Sequence, residues 1–302
     1  RTALALVSPS YFDGMMSNLP RRRVCIKPGA IQPGYRVLDG IRAALDFDSL
    51  GLTMDTRIGI WGYSGGGLAS SWAGEMASKY AAELDIVGVA LGSPVGDPAS
   101  TFLRLNGTAF SGLPALVLAG LRRVYPELDW VLGRHSSEAG LRLMKSIESM
   151  STLTAVRKFA RYDLSDFIDV PLADLLAERE VVRVFDEIQV GRVPLNVPVF
   201  VIQSVRDQII SVDDVDGQVD RYRAAGVNVT YRRDKLSEHL SLHVLSTPVA
   251  LNWLADRFAD EPLALGSTKT VWSTGLAPSV LPALLALGWD AWRAALGRPI
   301  RP

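Results

Sequence analysis

The chain has 302 residues, 48% of them hydrophobic and 21% charged, an ordinary globular composition with enough length to bury a large core. Lys plus Arg and Asp plus Glu each number 32, so the net charge is zero, and the basic excess of a nucleic-acid binder is absent; the short run Arg21, Arg22, Arg23 reads as a solvated loop. The single cysteine, Cys25, excludes a disulfide within the chain and reads as a bystander.

The chain opens at Arg1 without a methionine, and Thr2–Ser8 already reads as an apolar, buried strand. No n-region precedes it and no cleavage site follows an apolar h-region, so a processed chain or a fragment is expected. No apolar run reaches bilayer-spanning length; the most apolar stretches are Leu113–Leu121 and Leu281–Leu287. Pro9 to Gly34 reads as a long loop, and long loops in compact domains are often functional. Tyr35–Phe47 has a helical period, with Val37, Ile41, Ala44 and Leu45 on one face. Arg57–Trp61 is a short strand, Gly62–Gly67 a glycine-rich turn, Leu68–Leu84 a helix of small residues and Asp85–Leu91 a strand. Strand and helix thus alternate, and the strands are nearly continuous in apolar residues. That pattern predicts a parallel sheet with crossover helices.

From Pro94 to Arg192 no clear strand is seen. Helical segments at Ala115–Val124, Ser137–Met150 and Leu172–Phe185 predict a helical insertion, and Pro114 suits a helix start. Strand character returns at Val197–Gln203. Asp213–Ala225 reads as a helix stopped by Gly226, Val227–Arg232 as a strand, and Leu240–Phe258 as a helix interrupted or kinked near Pro248. Residues 259–302 read as a Pro- and Ala-rich tail with a last helix. The sequons at Asn106 and Asn228 are chance matches by default.

Gly62-Tyr63-Ser64-Gly65-Gly66 matches G-x-S-x-G between an apolar strand and a small-residue helix, the setting of a nucleophile elbow. Ser64 would stand exposed at a helix N-terminus, where the dipole favours an oxyanion and the Gly65 amide can donate to it. The alternative is a plain glycine-rich turn or phosphate cradle, but no P-loop lysine follows. A serine hydroxyl needs a base. Of the three histidines, His135 lies in the helical block, and His239 and His243 come after the later strands. The order Ser…Asp…His selects His239, with His243 four residues on as its rival. The acid belongs on the loop after Val199–Gln203, which gives Asp207; Asp213 and Asp214 look instead like a helix's first turn. A second oxyanion donor is expected from the loop after the first strand, at Ser10 or Tyr11.

Taken together, Tyr35–Leu45, Arg57-Ile-Gly-Ile-Trp-Gly-Tyr-Ser-Gly-Gly-Gly67, Val87–Gly92, Pro198–Gln203 with Asp207, and Glu238-His239-Leu240 resemble the secretory lipase family of fungal lipase A and its actinobacterial homologues. The resemblance covers roughly residues 1–275. It implies an α/β-hydrolase fold, a mostly parallel sheet with a helical lid between the Ser and Asp segments. The boundaries are then 1–93 for the first part of the core, 94–192 for the lid or cap, and 193–302 for the second part with its tail. It implies a serine carboxylic-ester hydrolase, a lipase acting on acylglycerols, that is secreted or envelope-associated. The apolar helical block, with Leu113–Leu121, Trp130 and Leu172–Leu176, is expected to cover an acyl pocket and to meet a lipid interface. No cofactor or metal is implied. Carried over, Ser64, Asp207 and His239 are the triad, and Gly65 and Ser10 supply the oxyanion hole. Two departures stand out. Pro9-Ser10-Tyr11-Phe12 has Ser10 where the family has Asp. The chain also begins inside the expected fold, without the family's longer N-terminal part. An acyltransferase or peptidase on the same triad, and a catalytically impaired binding protein of the same fold, are the alternative readings.

Overall fold

The computed structural model describes residues 2–7, 32–148 and 150–298. Among these, six strands form one sheet in sequential order, every neighbouring pair parallel. β1 (Thr2–Val7) leads to α1 (Gln32–Leu45), β2 (Arg57–Tyr63), α2 (Gly65–Tyr80) and β3 (Ile86–Gly92). A long helical excursion follows: α3 (Pro98–Leu105), α4 (Gly112–Arg122), α5 (Pro126–His135), α6 (Glu138–Ile147), α7 (Thr152–Lys158), α8 (Leu172–Ala177) and α9 (Arg179–Glu187). The sheet resumes with β4 (Val199–Ser204), α10 (Val212–Ala224), β5 (Val229–Asp234), α11 (His239–Phe258) and β6 (Thr268–Val271), and α12 (Val280–Ala295) follows.

Side-chain alternation along the central strands sorts their residues onto two buried faces. Ile58, Ile60, Val89, Leu91, Val199 and Val201 pack on one face with Leu38 and Ile41 of α1, Ala73 of α2 and Val215 and Val219 of α10. Trp61, Tyr63, Ala90, Phe200 and Ile202 face the other way, against Leu242, Val249, Ala250, Trp253 and Leu254 of α11. That second face closes tightly because β3 has Gly88 where a Cβ would sit 2.9 Å from the Trp253 ring. The helical excursion has its own core, including Leu116, Leu132, Ile147, Phe159, Leu175 and Val184.

Several boundaries differ from the sequence reading. β2 runs on to Tyr63 and α2 starts at Gly65, so Gly62 ends up in the strand and Gly65, Gly66 and Gly67 in the helix: their burial, with Gly67 packed against Gly92 and Pro94, overrides their poor helix propensity. The expected helix Leu172–Phe185 is two helices, because Glu178 between them is extended at φ −57°, ψ 132°. β6 lies in what reads as tail, so His239 does not follow the last strand. Its four residues, Thr-Lys-Thr-Val, are mostly exposed and carry no buried face; pairing with Tyr231–Asp234 alone makes them a strand. Pro248 sits within α11, which runs unbroken in secondary structure. Most of the expected loop Pro9–Gly34, with Ser10, Tyr11, Arg21–Arg23 and Cys25, lies outside the described residues; from Gln32 the chain is α1.

Candidate active site

The turn at Ser64 is built by crowding. Ser64 adopts φ 56°, ψ −120°, a conformation that costs a non-glycine residue on the order of 1–3 kcal/mol. The flanking glycines make it possible: a Cβ on Gly62 would lie 2.2 Å from the Gly66 carbonyl oxygen, and one on Gly67 would lie 3.0 Å from that of Gly92. The Ser64 amide donates to the Gly92 carbonyl at 2.8 Å, which locks the turn to β3. Gly65 opens α2, where the first amides have no partner within the helix. Its N–H is therefore available to an oxygen beside Ser64.

Asp207 and His239 meet in the interior, only 3% and 4% exposed. The Asp207 Oδ2 and His239 Nδ1 are 2.7 Å apart. The other carboxylate oxygen accepts from the amides of Ile209 and Ile210, both at 2.8 Å, and the Gln203 amide donates to Oδ2 at 3.2 Å. The carboxylate is thus fixed before it meets the imidazole. Arg104 of α3 donates to the Asp207 carbonyl at 2.9 Å and ties the helical excursion to the loop after β4.

The backbone of His239 is held as firmly as its ring. Its N–H donates to the Gln208 side chain at 3.2 Å, and its carbonyl accepts from the Tyr63 hydroxyl at 2.5 Å. His239 is the first residue of α11. Glu238 caps that helix, accepting from the amides of Leu240 and Ser241 at 2.9 and 2.6 Å and from the Gln208 amide at 2.8 Å. The Gln208 bond, followed by the two amides, lowers the Glu238 pKa to about 2. Tyr63, Gln208 and Glu238 were not singled out from sequence. Gln208 adjoins Asp207 and Glu238 precedes the apolar helix that begins at His239, and those placements are their only signal.

The rival residues have structural partners. His243 stacks on Tyr63, with ring centroids 4.6 Å apart, and burial followed by the neighbouring His239 pushes its pKa down. Asp213 and Asp214 occupy the first turn of α10. His135 lies between Asp169 and Glu178 in the helical excursion. Among the described residues no hydrogen bond joins the Ser64 hydroxyl to His239; in unliganded sites such contacts are often long and tighten with substrate. Ser10, the expected second oxyanion donor, lies outside the described residues.

Ser64 and Gly65 form part of the wall of an apolar cavity of about 170 Å³. Leu68 and Trp72 of α2, Phe102 of α3, Leu113, Val117 and Leu121 of α4, and Ile209 and Ile210 of the loop after β4 complete much of it. Of the lid residues expected to cover an acyl group, Leu113–Leu121 contribute here. Trp130 instead points to solvent and Leu175 belongs to the core of the helical excursion.

Comparison with known proteins gives a consistent picture. The family model described as "Secretory lipase" matches residues 25–266. A protein of Mycobacterium tuberculosis named "Probable inactive lipase" is 48% identical over 269 residues, covering 89% of this chain and 60% of that one. Lipase A of Arthroderma benhamiae is 32% identical over 276 residues, covering 89% of this chain and 58% of its own. The chain thus spans about three-fifths of the length of these relatives. The crystal structure of Candida antarctica lipase A shares the fold, an α/β-hydrolase, with a TM-score of 0.77 at 24% identity over 91% of this chain and 67% of that one.

Proposed function

This chain belongs to the secretory lipase family, and on that footing we propose that it is a serine carboxylic-ester hydrolase acting on acylglycerols, with Ser64 as nucleophile. One observation carries the reading. A buried imidazole–carboxylate pair, His239 and Asp207 at 2.7 Å, is tied through Tyr63 to the strained turn bearing Ser64, at an apolar cavity.

In the proposed cycle the Ser64 oxygen attacks the ester carbonyl while His239 Nε2 takes its proton. Asp207 holds the Nδ1–H and stabilises the imidazolium. The oxyanion is met by the Gly65 N–H and by a second amide assigned to Ser10. The imidazolium then protonates the departing alcohol, leaving an acyl ester on Ser64. A water, deprotonated by His239, cleaves that ester and restores the serine. Residues 94–192 act as a lid or cap over the core formed by 1–93 and 193–302, and the apolar cavity receives the acyl chain. Secretion to the cell exterior or envelope is part of the reading, drawn from the family.

A fluorophosphonate probe tests it. The folded protein should be labelled and Ser64→Ala should not; equal labelling of both rejects Ser64 as nucleophile. A second reading has a specific basis in the name of the Mycobacterium tuberculosis relative and in Ser10 where the family carries Asp. In it the chain binds acyl esters without turning them over. Saturable binding of an ester with neither turnover nor labelling would favour that reading.

A further inference from the structure

The last helix of the described chain carries an apolar stripe that nothing among the described residues covers. Leu281, Leu285, Trp289, Trp292 and Leu296 recur at helical spacing along α12 and its C-cap, and each is at least half exposed. The first turn holds the helix down: Val280 is buried against the α11 face of the sheet, and Leu284 packs on the same cluster. Beyond it the helix stands free of that cluster, and Leu287, off the stripe, is exposed as well. Trp289 and Trp292 stack with centroids 5.0 Å apart. The surface continues toward the site. Leu276, on the turn that packs against both α11 and α12, is exposed, as is Trp272. The Trp272 carbonyl accepts from the Leu236 amide at 3.1 Å, and Leu236 and Leu240, on either side of His239, are exposed too.

The charge here is one-sided. The whole chain sums to zero, yet residues 265–302 hold Lys269, Arg293, Arg298 and Arg301 against Asp290 alone. Lys235 adds a cation 4.7 Å above the Trp272 ring. An aliphatic stripe with tryptophans and flanking cations is the chemistry of a helix lying in the plane of a lipid surface. At about 1.5 Å per residue α12 is too short to cross a bilayer, and no helix among the described residues is long and apolar enough to do so. A second copy, the other occupant such a stripe could take, is separated by the test below.

We propose that α12, with Trp272 and Leu276, docks this protein onto an anionic lipid surface, stripe inward and arginines at the headgroups. The proposal rests on the stripe and its charge, and holds whether or not Ser64 turns over. It adds to the lipase reading a means of bringing the cavity to its substrate.

Flotation of the 302-residue chain with vesicles tests it. The chain should float with vesicles of phosphatidylcholine and phosphatidylglycerol, and more weakly with phosphatidylcholine alone. Leu285→Glu with Trp289→Glu should abolish flotation. Arg293→Glu with Arg298→Glu should weaken binding to the anionic vesicles by at least about fivefold per cation. Equal melting curves establish that the variants fold. Fluorophosphonate labelling and turnover of a soluble short-chain ester report on Ser64 separately and should not change. The proposal is overturned if the wild-type chain floats with neither vesicle or if the Glu variants float equally well. It is also overturned if the chain is instead a dimer that Leu285→Glu dissociates.

Discussion

The Tyr63 hydroxyl donates to the main-chain carbonyl of His239 at 2.5 Å, so the residue before the proposed nucleophile holds the residue proposed as base. The same oxygen accepts from the Ser93 hydroxyl at 3.0 Å. Burial pushes the Tyr63 pKa well up, which keeps the phenol a donor. Tyr63→Phe keeps the ring stacked on His243 and removes only these bonds. It should cost about 1 kcal/mol of stability and lower kcat for ester turnover roughly tenfold, with KM little changed. Thermal unfolding and steady-state kinetics measure the two effects. A KM rise with kcat intact would mean that Tyr63 acts on substrate binding instead.

Asp207→Asn probes the other grip on His239. An amide cannot both accept from the imidazole and keep the acceptors that face Ile209 and Ile210, so the ring loses its fixed tautomer. The expected drop in kcat is on the order of 10⁴. Groups that act as a unit are not additive, so Ser64→Ala with Asp207→Asn should be no slower than Ser64→Ala alone. Product release followed by gas chromatography detects rates this low.

The cavity predicts a chain-length preference. Val117 and Leu121 lie one turn apart on α4 and both line it. Val117→Trp fills space an acyl tail would use. Turnover of long-chain p-nitrophenyl esters should fall by about tenfold or more relative to acetate, since one or two methylenes are worth that much in an apolar pocket. A uniform loss across chain lengths would place the acyl group elsewhere.

The strands of the centre were legible because each is buried on both faces and so reads as an apolar run; Arg57–Tyr63 and Val199–Ser204 are examples. β6 was not, because Thr268–Val271 buries no face and gains its strand character from Tyr231–Asp234, a partner in space. The site divides the same way. Ser64, Asp207 and His239 were singled out because strand-to-helix and strand-to-loop transitions mark such positions in the chain. Gln208 and Tyr63 hold the His239 backbone through single hydrogen bonds, and Ser93 holds Tyr63 through another; each crosses from one segment to a distant one or depends on a side chain's reach, and no spacing encodes those. The break at Glu178 was hidden because a glutamate favours helix as readily as its neighbours do.

Acid should loosen the cap beside His239 before it unfolds the protein. The folded pKa of Glu238 is lowered from 4.5 to about 2 by Gln208 and two helix amides. A carboxylate with a depressed folded value contributes stability above its unfolded pKa and loses it as pH falls through the folded one. The cap of α11 therefore weakens from near pH 4.5 down to about pH 2. Glu238→Gln removes the ionisation and keeps an acceptor for the amides. Its melting temperature should vary less with pH across that window than the wild-type value, and high salt should shrink the difference because Glu238 is near solvent. Differential scanning calorimetry from pH 2 to 6 reads this directly.

Glu75, in the C-terminal half of α2, sets the opposite sign. It is buried on α2, yet its carboxylate accepts from the Gly191 amide and the Tyr222 hydroxyl, both at 2.8 Å, and from the Val193 amide at 3.3 Å. Gly191 and Val193 belong to the segment that returns from the helical excursion to β4, so one side chain fastens that return to the helix that starts after Ser64. Burial, only partly offset by these bonds, raises the Glu75 pKa. A carboxyl with a raised folded value contributes stability that is complete below the unfolded pKa and is lost as pH rises through the folded one. Glu75→Ala leaves three donors unpaired in the interior and should destabilise the protein by about 3 kcal/mol or more. Glu75→Gln keeps one carbonyl acceptor and has no charge to bury. Its deficit against the wild type should therefore be largest near pH 4 and narrow toward neutrality. Urea unfolding at several pH values tests the trend; a deficit that widens with pH would mean that the ionised carboxylate is the form the fold prefers.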